Sequence, residues 1–176
     1  RYQWLEEKRR VINAKFILTA HHKDDDIETF FINLIRGTGI QGMLGIKKRN
    51  NSIIRPLLFA NREDIERYVN SEKIKFREDK SNKSNKYLRN QIRNQLIPII
   101  SSMNPSFSKT FFKERLILQQ VHKVYRTKVT ESLENIIRHH KKHIVIDIKS
   151  LKELNPLNIY LYELFSALLY QDLLQQ

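Results

Sequence analysis

Cysteine is missing from all 176 residues, which excludes a disulfide framework, a thiolate zinc site and a cysteine nucleophile. Long apolar runs are missing as well. Every greasy stretch is broken by Lys, Arg, Asn or Gln well short of the roughly 20 residues that span a bilayer, so no transmembrane segment is expected, and the cytoplasm is the expected compartment. No signal-like apolar region opens the chain, and there is no initial Met. Arg1-Tyr2-Gln3-Trp4-Leu5 runs at once into an amphipathic pattern of Trp4, Leu5 and Val11, as a fragment cut from within a domain would. Acid is scarce beside base: 19 Asp and Glu against 32 Lys and Arg leave a net charge of +13, which favours an anionic partner such as nucleic acid. What remains is ample for folding. With 40% hydrophobic and 10% aromatic residues the chain is not of the disordered class.

Lys15 to Thr19 is a short apolar run that reads as a strand. From Asp24 to Arg36 the period changes to that of a helix, with Ile27, Phe30, Phe31 and Leu34 three and four apart. All four glycines fall between Gly37 and Gly45, where the helix must stop in a cap followed by turns. Ser52 to Leu58 reads as a strand closed by Pro56. Asn61, with Asp64 three residues later, opens a helix through Val69. This alternation predicts an α/β fold with a parallel sheet. Pro98 and Asn104-Pro105 mark the expected boundary between a first domain, 1–103, and a mainly helical second domain, 104–176. The second holds a long helix from Phe111 to Ile137, a strand at Ile144 to Ile148 and a last helix from Leu157 to Leu174. The cluster His139 to His143 reads as an exposed helix end.

The chemistry concentrates in Thr19-Ala20-His21-His22-Lys23-Asp24-Asp25-Asp26-Ile27-Glu28-Thr29, at the carboxyl end of the first strand, the edge at which open α/β sheets bind ligands. At about 100° per residue, His22, Asp25, Thr29 and Arg36 share one side of the helix with Glu28 flanking them, and the apolar residues take the opposite side. The polar side is then free for a ligand, and replacing Asp25 or Glu28 should leave folding nearly intact. Acids in a first turn also complement the helix dipole, a sufficient reason for Asp24 or Asp26 singly. Two histidines, four acids and a following Arg-Gly exceed that need. Hard oxygen donors of this kind suit Mg²⁺ shared with phosphates better than zinc. From Lys73 to Arg93, eight basic residues stand against Glu78 and Asp79, with Phe76 and Tyr87 interleaved, a composition suited to RNA contact.

The runs A-H-H-K-D-D-D-I-E-T, R-G-T-G-I-Q-G-M-L-G-I, I-R-P-L-L with N-R-E-D-I behind it, E-D-K-S-N and Y-L-R-N-Q-I-R succeed one another in motif order over residues 1 to about 100. In this the chain resembles the bacterial tRNA(Ile)-lysidine synthetases, members of the PP-loop ATP pyrophosphatase group. The resemblance implies a Rossmann-like domain, ATP and Mg²⁺ as cofactors, and tRNA(Ile) and L-lysine as partners, with a homodimer as one form of assembly. ATP would adenylate the carbonyl oxygen of the wobble cytidine in a CAU anticodon, and the lysine amine would then displace AMP. By the same resemblance His22, Asp25, Glu28 and Arg89 are catalytic, Asp25 and Glu28 hold the metal, and Thr29, Arg36 and Gly37 join His22 and Asp25 around the nucleotide. Asp79, Ser81 and Asn82, with Arg89, Asn90 and Arg93, would form a second wall; Lys80, Lys83 and Lys86 are expected to meet RNA because they belong to the basic stretch. Arg89 and Arg93, four apart on a helix, point the same way.

Two departures qualify the resemblance. The family carries Gln where this chain has Asp26, so Asp26 stays outside the expected site. The family's S-G-G-x-D-S phosphate loop has no counterpart here and is expected upstream of Arg1, which would leave the fragment inactive alone. Two alternatives stand: another PP-loop tRNA modifier, though a cytidine thiolase would need cysteines, and a non-catalytic basic RNA-binding module.

Overall fold

The structure, a computed structural model, describes residues 2–77, 84–140 and 143–174. By packing it divides into two units, Arg1–Leu118 and Gln119–Gln176. The division falls inside a helix, whereas the proline signals set the expected domain boundary ahead of that helix.

The first unit opens with α1 (Tyr2–Val11), which leads into β1 (Ile17–Leu18) and then α2 (Lys23–Arg36). Gly37 stops α2 in the left-handed conformation (φ 68°), and the Thr38 N–H reaches back to the Asn33 carbonyl at 3.2 Å, so the orphan carbonyls of the last turn are partly satisfied. The glycine stretch forms a short α3 (Gly39–Met43). A hairpin follows, β2 (Arg49–Asn50) and β3 (Ile53–Ile54), turned at Asn51, whose φ of 50° asparagine tolerates better than most residues. β3 lies between its partners, parallel to β1 with Ile17 opposite Ile53, and antiparallel to β2. The expected parallel sheet is therefore mixed, because a two-residue turn can join only antiparallel neighbours.

α4 (Arg62–Ser71) begins with the anticipated reciprocal cap: the Asp64 N–H donates to Asn61 Oδ1 at 2.8 Å and the Asn61 N–H to Asp64 Oδ2 at 3.3 Å. Next come α5 (Leu88–Gln91), one π-helical turn (Ile92–Leu96) and α6 (Ile97–Met103). Pro98 does not break the chain as its type suggested. It sits in the first turn of α6, where a missing N–H is tolerated. α7 (Phe107–Glu134) then sends Phe111 to 5.0 Å from Phe30 and Phe107 to 6.3 Å from Phe31, closing a core with Ile27, Leu58, Ala60 and Ile92. Those rings explain why the start of α7 packs with the α/β unit.

In the second unit the rest of α7 is followed by β4 (Ile137–His139), antiparallel to β5 (Ile144–Ile146), then α8 (Ile148–Lys152) and α9 (Leu157–Leu174). Val129, Leu133, Ile136, Leu151 and Leu164 are its buried core. The expected exposed helix end at His139 to His143 is not helical where it is described: His139 closes β4 and the rings of His140 and His143 stack 4.8 Å apart, while Lys141 and Lys142 lie outside the described residues.

Candidate functional site

β1 carries the chain to the sheet's carboxyl edge, where the Thr19 N–H donates to the Ile54 carbonyl at 3.0 Å. The backbone leaves the sheet at Thr19, and Thr19 Oγ1 lies 2.8 Å from His21 Nδ1. His22 is extended (φ −123°, ψ −178°) and caps α2. Three consecutive aspartates fill the first turn of α2, and each turns to a different neighbour.

Asp24 reaches outward. Its Oδ2 accepts the Arg62 N–H at 2.8 Å, at the start of α4, and lies 3.2 Å from His22 Nδ1. Asp25 turns back: its Oδ2 accepts the His22 N–H at 3.0 Å and lies 3.4 Å from His22 Nε2. Both ring nitrogens of His22 thus face carboxylate oxygens. The bond to Asp24 raises the His22 pKa against the opposing pull of burial. Burial alone would lift Asp24, but His22 and the Arg62 N–H outweigh it and hold that carboxyl below its ordinary range.

Asp26 turns inward and is 2% exposed. Its Oδ1 accepts the Ile46 N–H at 2.7 Å and its Oδ2 pairs with Arg115 of α7, whose guanidinium lies 4.8 Å over the Phe112 ring. A buried charge held by a half-buried arginine has a structural role.

Glu28 corrects the sequence reading. It is fully buried, not flanking an open polar face. Arg93, in the π-helical turn, donates from Nε to Oε1 at 2.6 Å and from the terminal nitrogen to Oε2 at 3.0 Å. Arg89 stands with its Nε 3.5 Å from Oε2 and donates to Thr29 Oγ1 at 3.1 Å. The two arginines do point the same way, and their common target is this carboxylate. Burial pushes the Glu28 carboxyl up while Arg93 pulls it back; Glu28 in turn holds Arg93 charged. Arg93 also lies 3.7 Å from Asp25 Oδ1, which links the acids into one network.

The structure therefore brings His22, Asp25, Glu28, Thr29, Arg89 and Arg93 together. Arg36 and Gly37 stand at the other end of α2, about 20 Å along a helix of 1.5 Å rise per residue, and both are exposed. Asn90 is buried and donates to the Ser84 carbonyl at 2.6 Å, so it fixes a turn of its own chain. Lys86 is exposed, while Asp79, Lys80, Ser81, Asn82 and Lys83 lie outside the described residues. Sequence reading missed Arg115 and the bond from Asp24 to Arg62, neither of which has a local signal. No helix among the described residues is long and apolar enough to cross a membrane.

The network has a direct chemical meaning. Arg89, 44% exposed, and the half-buried Asp25 and His22 present a guanidinium, a carboxylate and an imidazole at a sheet edge, groups suited to holding phosphates and aligning reactants.

A tRNA(Ile)-lysidine synthase of Porphyromonas gingivalis is 38% identical over 93% of this chain and 36% of its own length. Proteins of the same name from Bacteroides thetaiotaomicron and Thermosipho africanus are 42% identical over 78% of the chain and 45% identical over 64% of it, covering 32% and 26% of those relatives. The chain spans about a third of the length of the curated relatives it matches. The pattern of the PP-loop domain matches residues 1–100, which include every residue of the network just described, and the chain belongs to the PP-loop domain family.

Proposed function

We propose that this chain is part of an ATP-dependent ligase that converts the wobble cytidine of a CAU-anticodon tRNA(Ile) to lysidine. The carbonyl oxygen of the base attacks the α-phosphorus of ATP and pyrophosphate leaves. The ε-amine of lysine then attacks the activated carbon, AMP departs with the oxygen, and the amine loses a proton. The observation that supports this reading is the cluster of His22, Asp25, Arg89 and Arg93 at the sheet's carboxyl edge, within a domain whose relatives carry the name tRNA(Ile)-lysidine synthase.

Each residue has a task in this reading. Arg89 faces the phosphates, where it balances developing charge, with His22 beside them. Thr29 and Asp25 orient the nucleotide, and Glu28 acts through Arg93 by holding the guanidinium in place. Residues 1–103 serve the nucleotide, with Gly37 and Arg36 as an outlying wall. Residues 104–176 serve the tRNA together with Asp79, Lys80, Asn82, Lys83, Lys86 and Asn90. In this reading the enzyme works in the cytoplasm, with a homodimer as one form of its assembly.

Mg²⁺ takes oxygen donors, commonly one or two carboxylates beside substrate phosphates. Glu28 does not fit as a ligand while Arg93 occupies both its oxygens, and no group of three metal-ligating side chains is gathered among the described residues. Asp25 does fit, through Oδ1, as a single donor to an ion carried by ATP. When bound, such an ion supplies charge neutralisation at the phosphates.

The test is tRNA-dependent ATP–pyrophosphate exchange and lysine incorporation by the whole protein. Both should vanish in Asp25→Asn and Arg89→Ala; wild-type rates in both variants would overturn the reading.

A further inference from the structure

The segment before α5 is built with unusual care for a surface turn. Asn90 Nδ2 donates to the Ser84 carbonyl at 2.6 Å, Gln91 Nε2 to the Asn85 carbonyl at 3.0 Å and Asn94 Nδ2 to Asn85 Oδ1 at 3.0 Å. Three side-chain amides from the following helical turns thus clamp two residues of chain. The clamped turn delivers Tyr87, which caps α5 with extended backbone (φ −103°, ψ 142°) and accepts the Asn90 and Gln91 N–H groups at 2.9 and 3.1 Å on its carbonyl. Tyr87 as a residue is 60% exposed. Lys86 precedes it, and Arg89 follows two residues later with its guanidinium on Thr29 and beside Glu28.

A large ring on a rigid base, left open to water between two cations, cannot be explained by packing. Rigid exposed aromatics among cations are how proteins hold unpaired nucleobases: every base has a face to stack, and the flanking charges take its phosphates. Paired bases in a duplex offer no such face.

We propose that Tyr87 is a stacking platform for one unpaired base of the RNA substrate, placing that base beside Arg89 at the mouth of the site. The inference rests on the reading that the chain handles RNA and adds the single-stranded base as what the site grips. Lys86 and Arg89 steady the phosphates flanking the stacked base.

The experiment is fluorescence titration of the whole protein with a stem-loop RNA carrying 2-aminopurine at one unpaired loop position after another, and with a duplex RNA of equal length. Tyr87→Phe keeps the ring and should bind the stem-loop within about twofold of wild type, with the same quenching at one position. Tyr87→Ala should lose about tenfold in affinity for the stem-loop, lose that quenching and leave duplex binding unchanged. The lines of log K against log salt should stay parallel, because a stacked base releases no counterion. Equal stem-loop affinity in Tyr87→Ala, an equal loss on duplex, or weakened binding in Tyr87→Phe would each overturn the proposal while leaving the RNA reading intact. A wild-type protein that binds neither RNA would overturn both. Thermal melting of each variant separates loss of fold from loss of the ring.

Discussion

Glu28 and Arg93, 65 residues apart in the chain, form two parallel bonds of 2.6 and 3.0 Å in which the carboxylate is wholly buried and the guanidinium is 23% exposed. The pair joins the helix after the first strand to the π-helical turn. Removing one member strands the other, and breaking a buried pair costs on the order of 3 kcal/mol. Glu28→Gln and Arg93→Ala are each expected to lower the unfolding free energy by that amount, read from urea melts. The double variant should lose less than the sum, and strictly additive losses would show that the two side chains do not depend on each other.

Adjacent aspartates should behave oppositely. Asp25→Asn keeps an oxygen for the His22 N–H and should cost under about 1 kcal/mol of stability while abolishing ATP–pyrophosphate exchange. Asp26→Asn leaves Arg115 without its counter-charge and should cost about 2–4 kcal/mol, with exchange surviving where the protein stays folded. Melting curves and exchange rates, measured side by side, decide it.

The division between these neighbours marks how far the sequence could be read. α2, α4 with its Asn61–Asp64 cap, and α9 from Leu157 to Leu174 were legible because period and capping are local. So was the gathering of His22 and Asp25 at a strand's end. The fate of Glu28 was not legible, because helical phase places it beside Asp25 without revealing an arginine 65 residues away that buries it. Asp26 depends on an arginine 89 residues on. The π-helical turn left no signal in the pattern either, since it alters only the hydrogen-bonding step of an otherwise helical run.

Two glycines separate strain from space. Gly37 has φ +68° and nothing within 4 Å of an added Cβ, so Gly37→Ala should cost only the backbone penalty of about 1–2 kcal/mol. Gly45 has φ +85°, and a Cβ there would meet the Arg115 guanidinium at 2.4 Å and Asp26 Oδ1 at 2.7 Å. Gly45→Ala should therefore be the more destabilising of the two in a urea melt. Equal losses would mean that the Asp26–Arg115 pair yields freely.

Two histidines should titrate on opposite sides of 6.5 in an NMR-monitored pH series. His22, raised by Asp24, binds its proton more tightly when folded; its contribution to stability is present below 6.5 and is lost as pH rises through its own pKa. His122 is lowered by burial and by Arg126, and its Nε2 has no hydrogen-bond partner among the described residues. Its contribution is present above 6.5 and is lost as pH falls. Coincident titrations would contradict the surroundings described for both rings.

If Lys80, Lys83 and Lys86 meet RNA phosphates, replacing all three by alanine should flatten the slope of log K against log salt by about 2–3 units. Parallel lines for the two proteins in a salt titration would remove this stretch from the RNA surface.

The anchoring of Asp26 by Arg115 has a practical consequence for anyone who would cut this protein into pieces. The PP-loop pattern ends at residue 100, although similarity to the relatives runs on beyond it, and that is the place a biochemist would choose to stop an expression clone. A product ending there would lose Phe107 and Phe111 from the aromatic cluster and would leave the Asp26 carboxylate facing a vacated hole. It should be recovered as an aggregate or not at all, whereas a product ending after Leu118 keeps the whole first unit. The stretch that the PP-loop pattern covers and the stretch that must be inherited together for that unit to stand are therefore of different lengths.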